Sequence, residues 1–365
     1  MKKALLLSKF RSSWERFLLK KLSHVFDLDV LYLNDVIALY GWKGSTLYIN
    51  ELIEAQAVEF LFLDVEFFPC IDKRYVDALS SRVIKVALFF DDLLMHDFNS
   101  ITASSVDVVL SADPISVLKY KEKGFASYFF PLECDAELFA GDQEKMNDVL
   151  FFGSLDKADR REWVTFLEAN GVKVDVVGNG TNMVSFEEMA ALIRSSKIVL
   201  DLSKSSNMCF VGLHDNSKRN EDFFCYYHQM KGRAIMAGLA KTCCVSEYAP
   251  ALRLIFDDDE LPVFFTHSDC LQLICNLLND EEKLRFYTEN LSEKVYRLYE
   301  DTVLMSSLMP YLVKKSQPLL HANKLPKWYQ IKVLMAKEKI WMGLLKHKIR
   351  LLIISCFGRS IPCEK

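Results

Sequence analysis

The stretch FFDDLLMHDF, residues 89–98, places three carboxylates and one imidazole directly after an apolar run. A carboxylate or an imidazole at the end of a strand can take the proton from an attacking hydroxyl group, so Asp92 and His96 are candidate catalytic residues. A second interpretation stays open: Asp92 caps the helix that follows, and the remaining polar side chains are solvated.

Two glycine turns in the middle of the chain could hold an anion. One apolar run stops at Gly153 and Ser154, in a turn that closes on Lys157, and the next run stops at Gly178. A turn between a buried strand and a helix N-terminus offers free backbone N–H groups and a partial positive charge, which favour phosphate. The alternative is a plain loop in which Ser154 or Asp156 caps the helix.

Lys231 and Arg233 stand immediately ahead of an alanine-rich helical run. Two cations at that place would pair with a diphosphate, Arg233 through two parallel hydrogen bonds, or else they are solvated surface residues. The sequence has no P-loop motif, and Met183 occupies the last position of an otherwise matching G-x-G-x-x-G dinucleotide motif. Both observations argue against a P-loop NTPase and a nicotinamide-dependent dehydrogenase.

Short apolar runs of strand type alternate with helical segments along almost the whole chain. Apolar runs without alternation indicate strands buried on both faces, and strand–helix alternation indicates a parallel, doubly wound sheet. The pattern stops at a polar stretch, residues 140–148, and then restarts. We therefore predict an α/β protein with two Rossmann-like domains, residues 1–145 and 146–322, that face a central ligand cleft, and a separate tail, residues 323–365.

The charge of the chain is unevenly distributed. The formal net charge is −4, yet residues 324–365 contain 10 Lys and Arg against 2 acidic residues, which gives this segment +8 and the rest of the chain −12. An acidic body argues against a nucleic-acid surface. The basic, amphipathic segment 324–359 suits the anionic inner face of a plasma membrane, or it packs on the first domain; each of its faces could serve one of these roles.

Cysteine usage and the N-terminus predict a cytoplasmic protein without a metal site. None of the ten cysteines forms a C-x-x-C pair, and the apolar run ALLL near the start is shorter than the apolar region of a signal peptide. The acidic run Asp257–Asp259 lies in a polar loop rather than directly after a strand, so we predict that it holds no metal ion.

The order of several segments resembles the C-terminal half of GT-B glycosyltransferases. These segments are FFGSL with a following RR, VDVVGNG, VSFEEMAALIRSSKIVLDLSKSS, QMKGRAIMAGLAKTCCVSEYAP and the run from ELPVFF to NLSEKV. The likeness is greatest to the spore-maturation-protein-like branch, which is related to the retaining enzymes of families 1 and 4. It extends over roughly residues 84–299.

The resemblance implies a GT-B fold and transfer of a sugar from a nucleotide-diphosphate sugar to a hydroxyl acceptor, in bacterial envelope, surface-polysaccharide or lipopolysaccharide synthesis. It implies no cofactor besides the donor and no metal, because such enzymes stabilise the leaving diphosphate with cations and helix dipoles. Within it, Asp201 and Ser203 line the nucleotide pocket, Glu247 closes the site and His96 orients the sugar. Joined with the two turns, this gives a predicted donor-binding set: Gly153, Ser154, Lys157, Gly178, Asp201, Ser203, Lys231, Arg233 and Glu247.

Two positions depart from the family pattern. The family binds the ribose hydroxyls with a glutamate where this chain has Met236, and its upstream partner glutamate falls near His228. A methionine cannot accept a hydrogen bond from a ribose diol as a carboxylate does. The alternatives to an active glycosyltransferase are therefore a GT-B protein without activity that binds a partner, or a sugar-phosphate epimerase of the same fold.

Overall fold

The computed structural model describes residues 1–9, 11–12, 14–66, 70–133, 135–156, 159–178, 182–204, 228–313 and 325–357. The chain divides into two compact units: the first unit is Met1–Phe130 with Leu308–Lys365, and the second unit is Pro131–Ser307. These bounds differ from the predicted ones. The first unit ends at Phe130 rather than at residue 145, and the C-terminal residues belong to it instead of forming a separate tail.

The first unit is built on six parallel strands joined by helices. The strands are β1 (Lys2–Ser8), β2 (Phe26–Tyr32), β3 (Phe60–Asp64), β4 (Ile84–Phe89), β5 (Val108–Ser111) and β6 (Ser127–Phe129). The helices are α1 (Glu15–Ser23), α2 (Leu33–Ala55), α3 (Lys73–Asp77), α4 (Asp92–Ala103) and α5 (Pro114–Glu122). The strand order is β2-β1-β3-β4-β5-β6, and every pair is parallel, which confirms the predicted sheet type.

Local sequence explains why these elements begin and end where they do. In β1 the residues from Ala4 to Leu7 are almost wholly buried, as a run without alternation predicts. Pro114 opens α5, where its missing N–H is not needed, and Asp113 caps that helix by accepting a hydrogen bond from the Ser116 backbone at 2.8 Å. The start of α5 is therefore set by two neighbouring residues.

The second unit has five parallel strands. They are β7 (Asn147–Phe152), β8 (Val174–Val177), β9 (Ser196–Asp201), β10 (Cys243–Glu247) and β11 (Val263–Phe264), in the order β11-β10-β9-β7-β8. The helices are α6 (Ala136–Phe139), α7 (Arg160–Ala169), α8 (Phe186–Arg194), α9 (Arg233–Leu239), α10 (His267–Asn279) and α11 (Glu281–Leu298), with a 3-10 helix at Pro250–Leu254.

Parallel pairing brings the carboxyl ends of β7, β8, β9 and β10 to one edge of the second sheet. Ser185 and Glu188 form a capping box at the start of α8, the helix between β8 and β9. Of the predicted donor-binding residues, Asp201 and Glu247 are the last residues of β9 and β10, and four others follow the strand ends: Gly153, Ser154, Gly178 and Ser203. The fold therefore gathers them at a single edge.

Two further helices complete the chain, α12 (Asp301–Leu312) and α13 (Lys327–Phe357). The helix α13 packs along α2 in the first unit. This contact agrees with the predicted alternative in which the basic segment packs on the first domain. Within the part of the chain that the structure describes, no helix combines the length and apolarity needed to cross a bilayer.

Candidate functional site

The two glycine turns lie side by side at the edge of the second sheet. Gly153 follows β7 with a φ of 135°, and Gly178 follows β8 with a φ of 76°. The Gly153 backbone N–H donates to the Val177 carbonyl at 2.9 Å, and a Cβ on Gly178 would lie 3.3 Å from the Gly153 nitrogen. Because φ is positive at both positions and the backbones nearly touch, glycine is required at this point.

The helix after the first turn begins later than predicted. Its first residue is Arg160, and the preceding Asp159 makes no side-chain cap. The Ser154 hydroxyl instead accepts a hydrogen bond from the Asp156 backbone at 3.2 Å, within the turn. Neither predicted cap of α7 is therefore present, and the helix N-terminus does not directly follow Gly153. Lys157 lies outside the described residues.

Arg233 lies directly over Gly153. Arg233 is 8% exposed, and its guanidinium donates from Nε to the Phe152 carbonyl at 2.8 Å and from Nη1 to Asp201 at 2.9 Å. Asp201 is wholly buried, and its second carboxylate oxygen accepts a hydrogen bond from Ser246 at 3.1 Å. Asp201 was predicted to line a nucleotide pocket; in the structure its Oδ1 holds Arg233, and its Oδ2 is held by Ser246.

Replacing Gly153 with Ala is expected to lower the free energy of unfolding by about 3 kcal/mol, combining strain at positive φ with overpacking. The added Cβ would lie 2.5 Å from Arg233 Nη2, and that guanidinium cannot swing away without losing its bonds to Phe152 and Asp201. Gly171→Ala is the matched control, because Gly171 has a φ of 84° with open space around it; about 1 kcal/mol is expected there. Urea unfolding of both variants checks the difference, and equal losses would contradict the close approach.

Arg160, which was absent from the predicted set, is the second buried cation at this edge. It is 3% exposed, and its guanidinium donates to the carbonyls of Ser154 at 3.2 Å and Leu202 at 3.4 Å. No hydrogen-bond partner for Nε exists among the described residues. Burial, followed by the nearby positive charge of Arg233, lowers the pKa of Arg160 to about 10.

The two guanidinium groups converge on one point. A Cβ built on Gly153 would meet Nη2 of Arg233 at 2.5 Å and Nη1 of Arg160 at 3.7 Å. Arg233 has a carboxylate partner, whereas the hydrogen bonds of Arg160 go to neutral carbonyls. The charges of Asp201, Glu247 and Asp159 also act on Arg160. The arrangement thus places two buried guanidinium groups beside a glycine turn, and such groups are suited to an anion with several acceptor oxygens. The doubled arginine in DRREW, in the first turn of the helix after the glycine, was the available sequence signal.

Ser203, His228 and Glu247 form a neighbouring polar cluster. The Ser203 hydroxyl lies 2.9 Å from His228 Nδ1 and 3.3 Å from Glu247 Oε2, and His228 Nδ1 lies 3.5 Å from Glu247 Oε1. The serine and the carboxylate face the same ring nitrogen. A catalytic triad needs them on opposite nitrogens, so this cluster is not arranged for nucleophilic catalysis by serine.

Burial governs protonation in this cluster. It raises the pKa of Glu247 to about 6, although the hydrogen bond from the Lys204 backbone, at 2.9 Å, favours the charged form. Burial, with the charge of Lys204 as the next cause, lowers the pKa of His228. Near neutral pH the imidazole is therefore uncharged and can donate from one nitrogen and accept at the other.

Two further positions of the second unit that the sequence singled out are Lys231 and Met236. Lys231 is half-buried, and its ammonium donates to the Gln229 side chain at 2.6 Å. Met236, which replaces the family glutamate, is buried within α9. That face of α9 therefore offers no carboxylate to a ribose.

The predicted catalytic pair of the first unit is deeply buried. Asp92 is 0% exposed, and its Oδ1 accepts hydrogen bonds from Asn99 at 2.7 Å and from the Tyr120 hydroxyl at 2.9 Å. His96 Nδ1 lies 3.5 Å from Asp92 Oδ2, and His96 Nε2 lies 3.1 Å from the Lys123 ammonium. An ammonium only donates, so Nε2 accepts and the proton of the neutral ring lies on Nδ1.

Glu66, which the sequence analysis did not single out, completes this network. It accepts hydrogen bonds from the Phe90 and Asp91 backbones at 2.7 and 2.9 Å and from Asn99 at 3.1 Å. Burial, followed by the charges of Asp91 and Asp92, raises the pKa of Glu66 well above its usual range.

The alternative in which Asp92 caps α4 is wrong, because Asp91 is the residue before the helix and no side chain caps it. The observed hydrogen bonds of Asp92 join the first residue of α4 to Asn99 in the same helix and to Tyr120 in α5. Its catalytic role, and that of His96, stay predictions.

The acidic residues also raise the question of a metal site. Among the described residues, no group of three or more His, Cys, Asp or Glu side chains is placed to hold a metal ion. In the acidic run that the sequence raised as a metal candidate, Asp258 pairs with Arg253 at 2.6 Å. The absence of a metal requirement stays a prediction.

Sequence comparison identifies a family for part of the chain. Residues 160–300 match the sequence model of a family described as Glycosyl transferase-like. These residues span α7 to α11 and include both buried arginines. No curated protein matches the chain by sequence.

Comparison with solved structures extends the likeness to both units. HepE from Anabaena, crystallised with UDP and glucose, has a TM-score of 0.61 and 10% identity, over 86% of this chain and 99% of that chain. Sucrose-phosphate synthase from Thermosynechococcus elongatus has a TM-score of 0.54 and 10% identity, over the same shares of the two chains. TarM has a TM-score of 0.51 and 10% identity, over 74% of this chain and 59% of that chain.

The likeness to the spore-maturation-protein-like branch stays a prediction. The chain has the GT-B fold, and its residues 160–300 match the model of a glycosyl transferase-like family.

Proposed function

We propose that this chain is a glycosyltransferase that moves a sugar from a nucleotide-diphosphate donor to a hydroxyl acceptor. The observation that carries the proposal is the convergence of two buried guanidinium groups, Arg160 and Arg233, on one point above Gly153. Among the described residues, the hydrogen bonds of the Arg160 guanidinium go to neutral carbonyls, and the group lies over the ring of Phe151. A diphosphate offers several charged acceptor oxygens to two such guanidinium groups.

The chemistry of transfer explains why such a cluster is useful. The bond between the anomeric carbon and the terminal phosphate oxygen breaks, its electron pair goes to the diphosphate, and the acceptor oxygen bonds to the carbon. Two guanidinium groups that are already held by Phe152, Asp201 and Ser154 can stabilise the developing charge with little reorganisation. The proposed enzyme therefore needs no metal ion at the diphosphate.

The acceptor hydroxyl must lose its proton to a base or to the departing diphosphate. Asp92 and His96 remain the proposed catalytic residues of the first unit. For His96 to accept a proton, Lys123 would first have to leave Nε2. The geometry therefore supports the catalytic role of Asp92 and His96 less directly than it supports the role of the two arginines.

The proposed donor is a uridine-diphosphate hexose. Its support is the structural likeness to HepE, which was crystallised with UDP-glucose and with UDP and glucose. Of the other predicted donor-binding residues, Ser203 and Glu247 lie at the same sheet edge, and Lys231 immediately precedes α9. We further propose a glycan or a lipid-linked acceptor and a role in bacterial surface-polysaccharide synthesis on the cytoplasmic side of the membrane, supported by the family resemblance and the basic helix α13.

Thermal unfolding against a panel of nucleotides and nucleotide sugars tests the proposal. A ligand at 100 times its dissociation constant stabilises the folded protein by about 2.7 kcal/mol, which is readily seen as a shift in Tm. We expect a response to one nucleoside diphosphate and to its sugar conjugates, and a weaker response to the nucleoside alone. No shift with any diphosphate would contradict the proposed donor site.

Met236 favours a second candidate, a GT-B protein that binds a partner without transferring a sugar. Its buried side chain stands where the family carries the ribose-binding glutamate. The two candidates differ in turnover: a transferase releases nucleoside diphosphate from its donor when an acceptor is present. A binding module would leave the donor intact while still responding in the unfolding experiment.

A further inference from the structure

The helix α13 has two apolar faces, and one of them is packed on the first unit. Tyr329, Val333 and Leu344 are buried, and the Tyr329 hydroxyl accepts a hydrogen bond from the Lys73 backbone at 2.9 Å. Further along the helix, His347 hydrogen-bonds to Asp35 of α2. These contacts fix both the position and the rotation of the helix.

The opposite face is apolar and exposed. Six large apolar side chains lie three to four residues apart or at such multiples, so they share one side of the helix. They are between 41% and 62% exposed: Ile331, Leu334, Met335, Trp341, Leu345 and Ile349. We call these six residues the outward stripe. Its exposure is unusual for a soluble monomer, in which contiguous apolar patches commonly mark interaction sites.

A row of cations runs along one edge of the outward stripe. Lys332, Lys339, Lys346 and Arg350 follow one another at intervals of seven, seven and four residues, which places them on one side of a helix with 3.6 residues per turn. Between residues 327 and 350 the only acidic residue is Glu338. The surface thus combines apolar side chains with a net positive charge, since Glu338, which lies on the same side of the helix as the outward stripe, faces four cations.

We propose that the outward stripe and its cation row bind the surface of an anionic lipid bilayer, with α13 parallel to the membrane and still packed on the first unit. The cations match the negative charge of the lipid headgroups, and Trp341 has the amphipathic ring that prefers the headgroup region. A second copy of the chain fits this surface less well, because it would bring its own cation row close to the cation row of the first copy. The proposal concerns where the protein acts and does not depend on the donor chemistry.

Sedimentation of the full chain with vesicles tests the proposal. We expect binding to phosphatidylcholine vesicles that contain about one third phosphatidylserine, loss of binding at high salt, and little binding to pure phosphatidylcholine. Lys339→Gln with Lys346→Gln should weaken binding about fivefold for each cation removed. Trp341→Glu with Leu345→Glu should weaken it more than tenfold, since it removes apolar area and adds negative charge.

Matched controls come from α11 in the second unit. Phe286→Glu replaces an aromatic side chain of similar exposure, 49%, and Lys283→Gln removes a surface cation; neither should alter vesicle binding. Equal binding to neutral and anionic vesicles, or equal losses in controls and α13 variants, would overturn the proposal. A different pair of results would also overturn it: the parent chain is a dimer in sedimentation velocity that Trp341→Glu converts to a monomer, and the parent chain does not bind vesicles. UDP binding by each variant distinguishes these failures from a failure of the donor site.

Discussion

Replacing Arg233 with Ala is expected to lower the free energy of unfolding by about 3–5 kcal/mol and to abolish nucleotide binding. The stability loss follows from Asp201, a wholly buried carboxylate that would keep only its hydrogen bond from Ser246. A buried charge stripped of its partner costs that much because no water replaces the lost ion pair. Urea unfolding measures the first effect, and the Tm shift with UDP measures the second.

Two further variants separate the two effects. Arg253→Ala breaks a surface pair in which the partner Asp258 is 91% exposed, so a loss of at most about 1 kcal/mol is expected. Adding Asp201→Asn to Arg233→Ala removes the stranded charge and should restore part of the stability, yet nucleotide binding should stay lost. An Arg233→Ala protein with parental stability would show that the ion pair is not buried as described.

Replacing Arg160 with Met is expected to weaken nucleoside-diphosphate binding about 10- to 100-fold while changing stability by no more than about 2 kcal/mol. Arg160 has no carboxylate hydrogen-bond partner in the described structure, so its removal strands no opposite charge. The variant also relieves the repulsion with Arg233 that contributes to the lowered pKa of Arg160. The carbonyls of Ser154 and Leu202 lose one hydrogen bond each, which accounts for the stability range.

Arg161→Met is the matched control for this variant. Arg161 is the next residue of α7, but its side chain is 61% exposed and pairs with Asp156 on the surface. We expect parental affinity and parental stability. If both variants lose affinity equally, the effect belongs to general surface charge and not to the buried cation.

The fold was largely predictable because its signals are local. Apolar runs without alternation predicted buried strands, and the alternation of these runs with helical segments predicted that the sheets are parallel. Pro114 and Ser185 lie where helices begin, as their residue types favour. Each of these features depends on a few neighbouring residues.

The domain bounds were not predictable in the same way. Whether α13 belongs to the first unit depends on contacts such as that between Tyr329 and Lys73, which lie far apart in sequence. Periodicity shows that a helix has an apolar face, but it does not show which surface covers that face.

The site was predictable only in outline. Gly153 and Arg233 could be named because a turn and a cation before a helix suggest an anion site. The role of Asp201 as the partner of Arg233, and the arrival of Arg160 at the same point, depend on the strand order β9-β7-β8 and the helix that follows β7. The same reason explains Asp92: its burial under Asn99 and Tyr120 is a tertiary property that the sequence DDLLMHD does not reveal.

Isothermal titration of the parent chain and of Arg160→Met with UDP and with uridine is the decisive measurement. If the buried arginines bind a diphosphate, UDP binds the parent chain at least tenfold more tightly than uridine, and the variant loses most of this difference. If UDP and uridine bind equally, or if Arg160→Met retains the full preference for UDP, the two arginines do not form the donor-diphosphate site.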